Sequence, residues 1–131
     1  MTQQLTSREH NGVTVVDATG ALTFGAGTRA IRQTMWELRR SAARQVVLNF
    51  QAVTDLDSSA VGELVAVYTT ITAGGGQVRL VLGRRVHDIL VVTKLQTIFE
   101  TFDDVDRAVA SFKDTGPPQI RNRYPSELSV G

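Results

Sequence analysis

Two spacings of apolar residues take turns along this chain. Val13-Thr14-Val15-Val16-Asp17 alternates in the manner of a half-buried strand, and His10-Asn11-Gly12 separates it from the polar stretch around Leu5. Asn-Gly between two such runs predicts a β-hairpin, because both turn residues must tolerate positive φ. A glycine-rich segment, Gly20 to Gly27, leads into Ile31, Met35, Leu38 and Ala42, with Arg32, Gln33, Glu37 and Arg39 between them. That recurrence predicts a helix over 26–40. Gln45 to Phe50 is short, apolar and rich in strand formers, and reads as a central strand covered on at least one face. Gln51 to Asp57 reads as a loop. Val61, Leu64, Val65, Tyr68 and Ile71 form the stripe of a second helix, which Gly74-Gly75-Gly76 stops. Val78 to Leu82 is the next strand, and Val86, Ile89, Leu90 and Leu95 suggest a third helix. Thr97 to Phe102 follows as a short last strand. Asp103 then stands as N-cap of a final helix that buries Val105, Ala108, Val109 and Phe112.

The order is a hairpin followed by alternating helices and strands, which predicts a single α/β domain with a mixed sheet. Right-handed crossovers would place about four helices mainly on one face of that sheet. The 131 residues suit one domain, assigned to 1–113. Gly116-Pro117-Pro118 breaks the last helix, and the remainder, 114–131, has no sustained periodicity and is expected to be a flexible tail. The alternative for Ile120, Tyr124 and Leu128 is docking on the domain or on a partner.

Composition narrows the functional classes. A hydrophobic fraction of 42% with 21% charged residues is that of a globular chain. The net charge is +1, and the basic pairs Arg39-Arg40 and Arg84-Arg85 flank expected helix ends, so no concentrated basic face addresses nucleic acid. The absence of cysteine removes disulfides, thiol nucleophiles and cysteine-ligated metals, and fits a reducing cytoplasm. No apolar run approaches the ~18–20 residues of a membrane span, and the N-terminal residues carry no signal-peptide apolar segment. The expectation is a cytoplasmic protein with no membrane partner.

The segment with chemical content runs from Val53 to Leu64: Val-Thr-Asp-Leu-Asp-Ser-Ser-Ala-Val-Gly-Glu-Leu. Here a buried strand hands over to a helix, which places two hydroxyls and a carboxylate at the positive helix end among unpaired N–H groups. Capping alone would explain a serine at this junction. The capping box is incomplete, however, since Val61 and Gly62 follow Ser58 and Ser59 at the third position.

Asp57-Ser58-Ser59-Ala60-Val61-Gly62, set after the strand Val46 to Phe50, resembles the signature of the STAS domain family, and within it the single-domain anti-sigma factor antagonists. The likeness extends from about Val13 to Phe112 and includes Gly20-Ala21-Leu22 and the Gly74-Gly75-Gly76 break. The resemblance implies a switch protein whose first serine after the aspartate, Ser58, is phosphorylated by a partner anti-sigma factor that is also a serine kinase. Ser59 is the second-choice acceptor. Asp57 would shape the loop or contact the kinase, and Asp57, Ser58, Ser59, Ala60 and Thr23 together form the implied partner-binding set. Ala60 stands where many relatives have glycine, and Thr23 where many have an aspartate after Gly-x-Leu. The unphosphorylated protein would bind the anti-sigma factor and free a sigma factor; phosphorylation would release it, and a phosphatase would reset the switch. The implied state is a monomer or weak homodimer. The alternatives are a STAS scaffold or accessory subunit in a stress-sensing assembly or a transport system.

Little else competes as chemistry. His10 and His87 lack paired-histidine or His-x-x-Glu spacing, so neither a metal site nor a catalytic dyad is expected. Ser58 has no candidate base in the sequence, and an enzyme is not expected. Asp103, Asp104 and Asp106 crowd a helix start, where the dipole favours them. Trp36 covers the flank of the first helix or contacts a partner. No cofactor is implied.

Overall fold

The computed structural model describes residues 3–114, so the expected tail lies outside the described residues from position 115 on. The chain opens with β1 (Gln4–His10) and β2 (Val13–Leu22), antiparallel with His10 opposite Val13. Asn11 (φ 53°) and Gly12 (φ 81°) both take the left-handed conformation, the reason this two-residue turn is written Asn-Gly. There follow α1 (Ala26–Arg40), β3 (Gln45–Leu56), α2 (Ser58–Ala73), β4 (Gln77–Leu82), α3 (Ile89–Ile98), β5 (Glu100–Phe102) and α4 (Val105–Ala110), then a 3-10 turn over Ser111–Asp114. The sheet is five-stranded in the order β1-β2-β3-β4-β5, parallel at every pairing after the hairpin.

Neighbouring residues of the central strands serve opposite faces. Val46, Leu48, Phe50 and Leu80 join Ile31, Leu38, Leu64 and Leu95 in the larger core, beneath α1, α2 and α3. Val47 and Val81 join Val13, Val15, Ala108, Val109 and Phe112 in a smaller core beneath α4. The helices thus lie mainly on one face, as expected, with α4 on the other. The Arg79 guanidinium rests 4.6 Å from the centre of the Phe112 ring and closes that second core at its rim.

Three local expectations need correction. The first concerns Gln51 to Asp57, expected as a loop, where β3 in fact continues to Leu56. Its second half pairs only with β2, since the β4 ladder ends at Phe50 opposite Leu82. Register shifts between Asp17 and Thr19 and between Gly20 and Ala21 break the two-residue period there. Val53 and Leu56 are nonetheless fully buried. The second correction is to the third helix. Val86 precedes it, and Ile89 and Leu90 are 75% and 74% exposed, while Val91 and Leu95 form the buried stripe. The helix also takes Thr97 and Ile98 from the expected last strand, which begins only at Glu100. The third is small: the cap of α4 is Asp104, whose carboxylate accepts from the Arg107 N–H at 2.8 Å, not Asp103.

Ala42, aligned with the stripe of α1, lies beyond the helix end. Ala43 N–H donates to Leu38 O and Ala42 N–H to Arg39 O, both at 3.1 Å, the two bonds of a Schellman motif. Ala42 therefore occupies the left-handed position (φ 54°) that glycine usually fills. Relief of the left-handed strain, roughly 1–2 kcal/mol for a residue with Cβ, exceeds the added unfolded-state entropy of glycine, about 0.4–1 kcal/mol. Ala42→Gly is expected to stabilise the protein by about 0.5–1 kcal/mol, read as a higher midpoint in urea with unchanged slope.

Candidate functional site

β2 and β3 end level with each other, Leu22 opposite Leu56, and each hands over to a helix on the same edge of the sheet. The positive ends of α1 and α2 therefore converge where parallel strands finish. Gly27 lets α1 start directly over the end of β2: a Cβ there would lie 2.7 Å from Leu22 Cα. The turn before α1 is tightly held. Thr28, 3% exposed, accepts the Gly25 N–H on its hydroxyl oxygen at 3.1 Å, and its own N–H donates to Thr23 O at 3.2 Å. Gly25, at φ 102°, makes the bend.

One carboxylate joins the two helix starts. Asp57 is the N-cap of α2, with extended backbone, and its Oδ1 accepts the Ala60 N–H at 3.0 Å. Its Oδ2 accepts the Phe24 N–H of the turn before α1 at 2.9 Å. Burial alone would push this carboxyl upward, but N–H donation from Phe24, Ala60, Ser59 and Asp57 itself outweighs it and holds the group below its ordinary value. On β2, Asp17 is likewise lowered against the effect of burial, by hydrogen bonds from Arg8 (2.6 Å) and Asn49 (2.8 Å). Both folded-state values lie below the ordinary 3.8, so their stabilisation is fully present above that value. It is lost as pH falls through the lowered ones. The melting temperature is expected to hold level down to about pH 4 and fall below it, with a shallower fall in Asp57→Asn, as thermal melts across pH 7 to 2.5 would register.

Asp57 thus takes the capping role that serine could have filled. Ser58 is the first residue of α2 and exposed, while Ser59 is half-buried. Ala60, expected on the partner surface, is fully buried in the larger core and only offers its N–H to Asp57. A relaxed glycine at that position would leave the core one methyl short. Thr23 is half-buried beside the α1 turn. An ion pair, Arg32 to Glu63 at 2.7 Å, adds a second tie between α1 and α2.

The profile of the STAS domain family matches residues 4–108. The chain belongs to the STAS domain family. Among curated proteins none matches it. Solved structures of similar fold include the unphosphorylated anti-sigma factor antagonist SpoIIAA, 19% identical with a TM-score of 0.65 over 88% of this chain and 100% of that one. An anti-sigma factor antagonist from Mycobacterium paratuberculosis is 23% identical with a TM-score of 0.72, over 86% and 96%. The phosphorylated form of the Bacillus cell fate determinant SpoIIAA is 17% identical with a TM-score of 0.63, over 85% and 99%. At these identities the likeness is one of fold.

Around the STAS motif, the residue that sequence reasoning missed is Phe24, bound through its backbone to Asp57 and 80% exposed. The only signal for it was an aromatic stranded between glycines, away from any apolar stripe. Of the two histidines of the STAS domain, only His87 lies in a connection on the same edge of the sheet as Ser58, the one after β4. His10 closes β1 at the opposite edge of the sheet, its Nε2 3.2 Å from Asp106 Oδ1, and His87 is exposed ahead of α3. Asp103 is exposed, and no group of three or more His, Cys, Asp or Glu among the described residues is placed to hold a metal ion. Trp36 is 55% exposed, with the Arg40 guanidinium 4.7 Å from its ring centre. Among the described residues no helix is long and apolar enough to cross a membrane.

Proposed function

We propose that this STAS domain is an anti-sigma factor antagonist controlled at Ser58. Unphosphorylated, it binds an anti-sigma factor that is also a serine kinase, which frees a sigma factor. Phosphorylated on Ser58, it lets go, and a phosphatase restores the binding form. The working state is a cytoplasmic monomer or weak homodimer, with Asp57, Ser58, Ser59 and Thr23 at or beside the contact. The observation that carries the reading is the division of labour at the start of α2. Asp57 supplies the cap, so the Ser58 hydroxyl is exposed and not required to hold the helix.

The chemistry is sufficient for a switch. A phosphoserine adds roughly 1.5–2 negative charges and three acceptor oxygens. A helix N-terminus accommodates an anion, so the fold itself tolerates the modification. The test is incubation of the protein with ATP, magnesium and each purified kinase-type anti-sigma factor of the same genome, followed by phosphosite mapping. Stoichiometric phosphate on Ser58, absent from Ser58→Ala, supports the reading. Phosphate on Ser59 moves the acceptor, and no transfer with no complex rejects the assignment in favour of a scaffold or transport-accessory role.

A further inference from the structure

The large apolar side chains that this fold leaves in water are not scattered. Among the described residues they are Phe24 (80% exposed), Ile89 (75%), Leu90 (74%) and Trp36 (55%). Phe24 follows β2, Ser58 follows β3, and Ile89 and Leu90 follow β4. These strands are parallel neighbours, so all three connections leave the same edge of the sheet, with the Ser58 connection in the middle. β2 and β3 end level, and the connection after β4 starts lower, where Leu82 stands opposite Phe50. Trp36 alone lies elsewhere, near the far end of α1, where Arg40 partly covers it.

Each of these exposed residues sits on a backbone that is already fixed. Phe24 N–H is bound to Asp57, and the turn around it is closed by the bonds of Thr28 to Thr23 and Gly25. Leu90 N–H and Val91 N–H donate to Asp88 Oδ1 at 3.0 and 3.3 Å, which caps α3 at the point where Ile89 and Leu90 emerge. An exposed apolar side chain on a fixed backbone gains nothing for folding and spares a binding step the cost of ordering its loop, which suits an interface anchor. The loop between β4 and α3 adds two exposed arginines, Arg84 and Arg85, that form no ion pair among the described residues. The carboxylates of Asp57 and Asp88 on the same edge are engaged in capping.

We infer that Phe24 on one side of Ser58, and Ile89 with Leu90 on the other, are the anchors by which this domain grips its protein partner, whose matching surface carries apolar pockets with carboxylates at the rim facing Arg84 and Arg85. The inference rests on the antagonist reading and names the residues that recognise the kinase-type anti-sigma factor. Ser58 is then the switch within the grip, and the anchors supply affinity and partner choice.

The test is calorimetric titration of the full chain against the anti-sigma factor that phosphorylates it, with the initial rate of phosphate transfer measured on the same samples. Phe24→Ala is expected to bind about 30-fold more weakly, and the paired change Ile89→Ala with Leu90→Ala about as much. Phe24→Leu is expected to recover most of the loss, and Trp36→Ala to bind as the unaltered protein does. Transfer to Ser58 should need proportionately more kinase to half-saturate, with the saturated rate unchanged. Arg84→Glu with Arg85→Glu should slow association more than it speeds dissociation. Unchanged melting temperatures for Phe24→Ala keep folding out of the comparison. If the unaltered protein binds and is phosphorylated while Phe24→Ala and the Ile89/Leu90 pair do so equally well, the anchors are overturned and the antagonist reading stands. An equal loss in Trp36→Ala also overturns them. Failure of the unaltered protein to bind any kinase-type anti-sigma factor overturns both.

Discussion

Stoichiometric phosphorylation of Ser58 is expected to weaken binding to the anti-sigma factor about a hundredfold, equivalent to roughly 2.7 kcal/mol. The penalty arises in the interface. A phosphate facing an apolar or acidic surface has to be desolvated or set against like charge, and such juxtapositions cost on the order of several kcal/mol. Within the free protein the cost is small, because Ser58 is exposed and opens α2, whose unpaired N–H groups favour an anion. Ser58→Asp, with one charge in place of nearly two, should reproduce part of the effect, about tenfold. Its melting temperature should stay within a degree or two, since an acidic residue in a first helical turn is worth about 0.3–1 kcal/mol and Asp55 and Asp57 nearby oppose it. Ser58→Ala should bind as tightly as the unmodified protein and stay bound in the presence of ATP. Titrations of the four forms would check this. Tight binding by the phosphorylated form would mean that the charge does not enter the contact.

This outcome separates a charge switch from a folding switch. Were release caused by unwinding of α2, Ser58→Asp would lower stability and affinity together. Asp57 holds the Ala60 N–H independently of the serine hydroxyl, so the helix start need not move when Ser58 changes. Binding should therefore change with little change in the melt.

Much of this arrangement is written in the sequence at the level of period and turn. Asn11-Gly12 announces the hairpin, the stripe Ile31-Met35-Leu38 announces α1, and the triple glycine ends α2 where the structure ends it. The second half of β3 was illegible for a physical reason. It pairs on one side only and through shifted register, so Gln51, Ala52 and Asp55 are exposed and the two-residue period fails. The start of α3 misled in the opposite direction. Ile89 and Leu90 look like core residues because apolar side chains usually are, and their exposure becomes visible only when the helix is placed on the sheet. At the start of α2, the motif located Ser58 and Asp57, while their division of labour was beyond reach. Whether a serine or the aspartate before it caps a helix is decided by one residue of phase, and the bond from Phe24 to Asp57 joins residues 33 positions apart.

That long-range bond makes Asp57→Ala the most damaging single change expected near the site. The substitution removes the cap of α2, worth about 0.5–2 kcal/mol, and strips the Phe24 N–H of a charged acceptor, where such bonds contribute about 1.5–3 kcal/mol before water replaces part of the loss. A combined loss of about 2–3 kcal/mol is expected, or roughly 10 °C in the melting temperature of a domain this size. Asp57→Ser divides the two effects. A serine caps almost as well as an aspartate, but its single short oxygen cannot serve Ala60 and Phe24 together. It should recover most of the stability while leaving the turn before α1 untied. Amide exchange at Phe24 would then accelerate in both variants, whereas exchange at Ala60 would accelerate only in Asp57→Ala. If both amides exchange in Asp57→Ala as slowly as in the parent protein, the carboxylate does not join the two helix starts, and the turn that carries Phe24 is held by Thr28 alone.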